Sequence, residues 1–384
     1  MFKKIKANLK QNYKIGLLLI GLVLIISACS ISTTSLSGST SSSSVPADKD
    51  ASVFLTTDRG DTWRIMTGIA NASNKGDNIT SANVNLMTMD PEDSLAIYLA
   101  TFNNGLYYTY NITNGWNKVN GLTDGTVNDV KVDPKNKCII YASATNRLFR
   151  SNDCARTWKQ VYYDNNTSVS VNTIAIDQFD TNIIYIGTSR GEIIKSDNSG
   201  EAWQTIQRLD DGIARLIISP LDSHLIFLAT AKNQIFSFSP ISSSDSSLPV
   251  GTNGNSLVGN WTDLNKVLAD YNLGSSFKDF IICGQDGVMF IATNNMILRS
   301  PDNGITWESI KLIQPEKDAV INALAVNPKN SQEIYYVTNT TFFRSSDGGL
   351  TWTTKKLPTK RAGRELLIDF NNPGVMYLGT VNSK

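Results

Sequence analysis

The sequence predicts an all-β protein, a single seven-bladed β-propeller, on three observations. Seven tryptophans recur at near-regular spacing, an eight-residue pattern ends at most of them, and each end of the chain carries an incomplete copy of the repeat. Of 384 residues, 41% are hydrophobic and 18% charged, enough apolar material for a large core. The single histidine, His224, removes multi-histidine metal sites and leaves any serine or cysteine triad one candidate base. Neither a metal nor a cofactor is expected.

The first element is a processing signal. Lys3, Lys4, Lys6, Lys10 and Lys14 precede the apolar run Ile15 to Ile26, which is followed by Ser27, Ala28 and Cys29. As a helix the run would reach only about 18 Å, short of the ~30 Å hydrocarbon core of a bilayer. Ile26-Ser27-Ala28-Cys29 resembles the bacterial lipobox, which implies cleavage before Cys29 and acylation of that cysteine. Residues 1–28 are therefore expected to be a lipoprotein signal peptide. Residues 29–50, dominated by serine and threonine, cannot bury enough surface to fold and read as a disordered tether. The expected location is the cell envelope, extracytoplasmic and lipid-anchored to a bacterial membrane, and Ser30 is compatible with an outer membrane. Without the five lysines, 30 basic residues face 34 acidic ones, a net charge of −4, so nucleic acid is not an expected partner.

Residues 51–384 form the predicted propeller. Trp63, Trp116, Trp158, Trp203, Trp261, Trp307 and Trp352 are 53, 42, 45, 58, 46 and 45 residues apart, the period of four-stranded blades. The segments TTDRGDTW (56–63), SNDCARTW (151–158), SDNSGEAW (196–203), SPDNGITW (300–307) and SSDGGLTW (345–352) share one pattern, and TYNITNGW (109–116) is a worn copy. The pattern resembles the Asp-box of bacterial neuraminidase repeats, sortilin, xyloglucanase-type glycosidases and photosystem II assembly-factor propellers. Its chemistry is structural: the aspartate accepts from turn amides, glycine permits positive φ, and tryptophan packs between sheets.

Upstream of each tryptophan lie short apolar strands. Residues 84–90, 127–133, 171–177, 213–219, 277–283, 321–327 and 363–369 read as the innermost strands, and runs such as IIYIGT (183–188) and VMYLGT (375–380) as second strands. The last repeat supplies only strands one and two, and Ser52 to Met66 only strands three and four, so the termini are expected to pair and close the ring. The fifth repeat carries a Ser/Gly/Asn-rich insertion, Pro240 to Asn260, and lacks the shared turn.

Cys138 and Cys154 replace polar residues of the other copies, and counting back from a hairpin turn near Thr145 and Asn146 places 138 opposite about 153. A disulfide between them is expected, as export permits. Cys283 is expected to be a lone buried thiol.

The innermost strands should start on the face opposite the eight-residue turns, ringing one mouth of the channel. The candidate binding residues are Asn128, Asp129, Asn172, Arg215, Lys278, Asp279, Asn322, Arg364 and Glu365 at the mouth, where Asn85 also stands, and Arg190 and Arg361 on adjoining loops with Tyr162, Tyr163 and Lys360. The expected function is a monomeric binding or assembly module with an unknown protein or glycan ligand. The alternative is a glycoside hydrolase of sialidase or xyloglucanase type. Arg64-Ile65-Met66 does not match the sialidase Arg-Ile-Pro signature, and xyloglucanase-type enzymes use acids across two propellers where this chain has one. A third reading is a surface lipoprotein without a defined ligand. No catalytic residue is nominated.

Overall fold

The computed structural model describes residues 50–70, 78–240, 259–274, 276–313 and 320–382. The expected signal peptide, Cys29, the tether up to residue 49 and most of the insertion in the fifth repeat lie outside the described residues. Among these residues no helix is long and apolar enough to cross a membrane.

The described residues form seven four-stranded antiparallel sheets. From the channel outward, blade 1 consists of Asn83–Met89, Ile97–Phe102, Leu106–Thr109 and Asn117–Lys118, and blade 2 of Val127–Asp133, Asn136–Ala144, Arg147–Ser151 and Lys159–Tyr163. Blade 3 is Val171–Ile176, Ile184–Thr188, Glu192–Ser196 and Gln204–Arg208. Blade 4 is Ile213–Ile218, Ile226–Thr230, Ile235–Pro240 and Gly259–Asp263. Blade 5 is Phe277–Ile282, Met289–Thr293, Ile297–Ser300 and Glu308–Ser309, and blade 6 is Ala323–Asn327, Asn330–Val337, Thr341–Ser345 and Thr353–Lys356. Blade 7 is composite: Ala362–Ile368 and Met376–Val381 come from the end of the chain, Val53–Thr56 and Arg64–Ile65 from the start.

Burial explains why these residues make these strands. The second strands of blades 3, 4 and 5 are buried at every position, because neighbouring blades cover both faces. They are therefore continuous apolar runs rather than alternating ones. The fourth strand of blade 6, Thr353–Lys356, is exposed throughout and polar. Apolar clusters lie between blades: Phe54 and Leu378 of blade 7 meet Tyr335 and Val337 of blade 6, and Val53 and Tyr377 on its other side meet Leu99 and Trp116 of blade 1.

Closure rests on a ladder and a clasp. Phe54 pairs with Leu378 and Leu55 with Tyr377. Thr380 N donates to Ser52 O at 2.9 Å, and its hydroxyl to Ala51 O at 2.6 Å.

Four of the eight-residue turns repeat one network. The opening Ser or Thr hydroxyl donates to the aspartate, and that aspartate accepts from the amide and hydroxyl of the threonine four residues on, as in Asp347 with Thr351 at 2.9 and 2.5 Å. In the fifth, Asn198 takes the aspartate's place and Ala202 offers only its amide. The threonine hydrogen bonds hold Asp153 and Asp347 down at about 2. The turn's glycine is left-handed, at φ 88° for Gly60 and 90° for Gly349. In blade 2 Ala155 takes this position at φ 65°, and its methyl joins the apolar cluster beside Val132 and Trp158. Blade 6 has no such room: a Cβ on Gly349 would sit 2.2 Å from Ile310 Cγ2. Gly349→Ala should therefore destabilise by about 2–3 kcal/mol, lowering Tm by roughly 4–6 °C in a thermal melt.

Cys138 and Cys154 form a disulfide, and the register Ile140↔Ser151 brings them together as the repeat count expects. In blade 3 the same two positions are Asn182 and Ser199, joined by a hydrogen bond of 2.8 Å. Cys283 is free and buried.

Candidate functional site

Six of the seven inner strands open with a β-bulge. The register shifts between Val84 and Leu86, Val127 and Asp129, Val171 and Thr173, Ile213 and Arg215, Phe277 and Asp279, and Gly363 and Glu365. Each leaves one extra residue at the channel mouth: Asn85, Asn128, Asn172, Ala214, Lys278 or Arg364. A bulge turns a side chain away from the regular alternation of a strand.

In three blades the extra residue staples its neighbour. Asn85 Nδ2 donates to Val127 O at 2.8 Å, Asn128 Nδ2 to Val171 O at 3.0 Å, and Asn172 Nδ2 to Ile213 O at 2.9 Å. The other blades lack this contact: Ala214 has no donor, Asn322 turns to Asn339 Oδ1 within its own blade at 2.8 Å, and Arg364 reaches Asn85 Oδ1 at 3.2 Å. Lys278 makes no hydrogen bond or ion pair among the described residues.

The next residue along each strand forms a deeper ring, in which blades 2 and 3 stitch onward. Asp129 Oδ2 accepts from Ile174 N at 2.8 Å while its Oδ1 accepts from Val130 N and Lys131 Nζ. Thr173 Oγ1 likewise accepts from Leu216 N at 3.1 Å. Between the adjacent blades 4 and 5, Arg215 lies 3.5 Å from Asp279, whose carboxylate strengthens its charge, with help from Asp129 and Glu365. Burial raises the Asp279 carboxyl. Burial, then the field of Asp279, pushes Glu365 up to about 8, and this carboxyl has no hydrogen-bond partner among the described residues.

Together these side chains line a cavity of about 310 Å³ to which all seven blades contribute. Nine of the eleven sequence-nominated residues are in it: Asn128, Asp129, Asn172, Arg215, Lys278, Asp279, Asn322, Arg364 and Glu365. Two are elsewhere. Arg190 ion-pairs with Asp164 at 2.8 Å and Glu192 at 2.7 Å outside the cavity. Arg361 is buried, 4% exposed, and its guanidinium donates to Thr380 Oγ1, Thr80 O, Asn382 Oδ1, Asn83 Oδ1 and Ala82 O, across the ring closure. Tyr162 packs against Trp203 on the outermost strand of blade 2. Phe102, whose ring lies 5.6 Å from the Arg364 guanidinium, is a lining residue the sequence reading passed over. Its signal was visible: Ser189, Ala231 and Asn294 stand at the matching positions.

Beyond the charged ring the channel continues as an apolar cavity of about 410 Å³, lined by Ile174, Ile176, Ile217, Ile218 and Ile281 with Lys131. His224 stands in the loop after the inner strand of blade 4, at the other end of the channel from the mouth, hydrogen-bonded to Asp222 at 3.2 Å. No group of three or more His, Cys, Asp or Glu among the described residues is placed to hold a metal.

Because the Glu365 carboxyl is raised from 4.5 to about 8, the folded state holds a proton that the unfolded state releases between those values. Its contribution to stability is therefore lost as pH rises through that window. Glu365→Gln should melt at nearly the parent's temperature at pH 4.5, and progressively higher than the parent as pH approaches 8.5.

No protein-family model matches the chain, and a search of curated proteins returned no match. Solved structures do resemble it. They include a GH74 xyloglucanase from Xanthomonas campestris (14% identity, TM-score 0.58, covering 78% of this chain and 51% of that one). A GH74 enzyme from Niastella koreensis is similar (16%, TM-score 0.57, 78% and 51%). So is YCF48 bound to D1 peptide (17%, TM-score 0.56, 79% and 94%). At these identities the likeness is one of fold. The chain spans about half the length of the two GH74 enzymes and nearly all of YCF48.

Proposed function

We propose that this propeller, of Asp-box type, is a binding module of the bacterial envelope, anchored through an acylated Cys29 and a serine-rich tether, that receives a polypeptide segment at its channel mouth. The observation that carries the reading is the cavity itself: seven blades converge on one polar opening, two of whose three acids are already engaged. Asp129 accepts three hydrogen bonds and Asp279 is paired with Arg215, so Glu365 is the one carboxyl of the three left without a contact. Hydrolysis by the two-carboxylate route needs a second. YCF48, of matching size, holds a peptide in its solved structure, which supports a polypeptide ligand here.

A photo-crosslinking residue at Asn322 in the full acylated protein tests this. An adduct with an envelope polypeptide is expected, and none from the same residue placed at Tyr163 on the outermost strand. Crosslinking from Tyr163 but not Asn322 would overturn the site. Turnover of a sialoside or β-glucan panel that disappears on neutralising Asp129, Asp279 or Glu365 would overturn the non-enzymatic reading.

A further inference from the structure

The bulge position of blade 5 departs from the pattern of the ring in a way that leaves charge unbalanced. Where blades 1, 2 and 3 place an asparagine that staples the next blade, blade 5 places Lys278. The staple is given up, and a partly buried cation stands in its place with no hydrogen bond or ion pair among the described residues. A second cation faces the same cavity. Arg364 contacts Asn85 through one nitrogen at 3.2 Å and lies near the Phe102 ring, which leaves most of its five donors without an acceptor among the described residues.

The acids closest in sequence do not compensate. Asp279 is engaged by Arg215 at 3.5 Å and by the Phe280 amide at 2.8 Å, and Glu365 bonds to neither cation. Asp129 is matched by Lys131 at 3.0 Å. Burial, and then the field of Arg364, lowers the Lys278 ammonium below its ordinary value, while Arg364 in turn acts on the Asp279 and Glu365 carboxyls without bonding to either.

We propose that Lys278 and Arg364 form an anion site that receives a carboxylate of the partner segment, an acidic side chain on an extended peptide; this deepens the mouth-binding reading and rests on it. A monoanion fits better than a dianion, because Asp279 stands behind the site. Arg364 offers the planar fork that pairs with two carboxylate oxygens, and Lys278 a point charge beside it.

The probes are a fluorescent blocked hexapeptide containing two aspartates and its asparagine counterpart, measured by anisotropy at low salt on the folded propeller. The aspartate peptide should bind at least tenfold more tightly than the asparagine peptide. Lys278→Met and Lys278→Asn should each weaken it at least tenfold, and Lys278→Arg should retain it within about threefold. A second readout separates a binding role from a structural one: Lys278→Asn, which reinstates the staple and removes the repulsion, should raise Tm. A fall in Tm with unchanged affinity would assign Lys278 to the scaffold and overturn the proposal, as would equal binding of the two peptides or none of the aspartate peptide. Ala214→Trp distinguishes the two levels of the argument. If it abolishes binding while Lys278→Met does not, the mouth stands and the anion site falls; if neither variant alters binding, both fall.

Discussion

Deleting Gly363–Lys384 is expected to abolish the cooperative fold. The deletion removes the inner and second strands of blade 7, so Val53–Thr56 loses its ladder partner and Arg64–Ile65 is left beside a lone strand. Phe54, Leu55 and Val53 would lose Leu378 and Tyr377, and the clusters shared with blades 6 and 1 would open to water. Burial of one large apolar side chain contributes about 1.5–3 kcal/mol, and several are lost together, against a total stability of ~5–15 kcal/mol. The gap would also leave two unpaired blade faces and free strand edges. The truncated protein should show no sharp thermal transition and should bind a hydrophobic dye before heating. A melt that matched the parent's in midpoint and sharpness would mean that the blade 7 pairing does not hold the ring.

Replacing Arg361 by methionine should have the largest effect of any single substitution considered. The side chain is buried and forms no ion pair among the described residues, although the field of Asp50 favours its charge, and that charge is solvated by the oxygens of Thr380, Asn382, Asn83, Thr80 and Ala82. Those groups belong to the last strand and to the entry of blade 1, so one guanidinium holds the two ends of the ring together. Methionine keeps the apolar stem but leaves several carbonyls buried without donors, each worth about 1–3 kcal/mol. A loss of roughly 3–5 kcal/mol and a fall in Tm of about 5–10 °C are expected in scanning calorimetry. Arg361→Lys should recover only part of it, since an ammonium cannot reach acceptors spread over five residues. A methionine variant within 2 °C of the parent would show that water replaces the guanidinium and that the clasp is not what holds the ends.

Much of the scaffold is legible in the sequence, and the reason is periodicity. Inner-strand boundaries read from apolar runs agree within two residues with those observed, as for 84–90 against Asn83–Met89 and 321–327 against Ala323–Asn327. The cysteine pair was legible because hairpin register is a local count. The fourth strands leave little trace in the sequence: Thr353–Lys356 is fully exposed and carries no apolar signature. The short helix Asn265–Leu268, which precedes blade 5, was not foreseen.

The candidate site divides differently. By itself the sequence determined the fold class, the blade count, the pairing of the chain's two ends and the set of polar residues at the starts of the inner strands. All of these follow from repeats along the chain. Only the tertiary structure decided which of those polar residues are staples and which are free. Asn85, Asn128 and Asn172 are spent on carbonyls 41 to 43 residues away, and Arg361 on carbonyls about 280 residues away. Lys278, at the same bulge position as those asparagines, bonds to none of the described residues. In a ring, residues one repeat apart become neighbours, and a bulge turns one residue per strand toward that neighbour. Whether a given side chain finds an acceptor there depends on what the next blade presents, which no local pattern records.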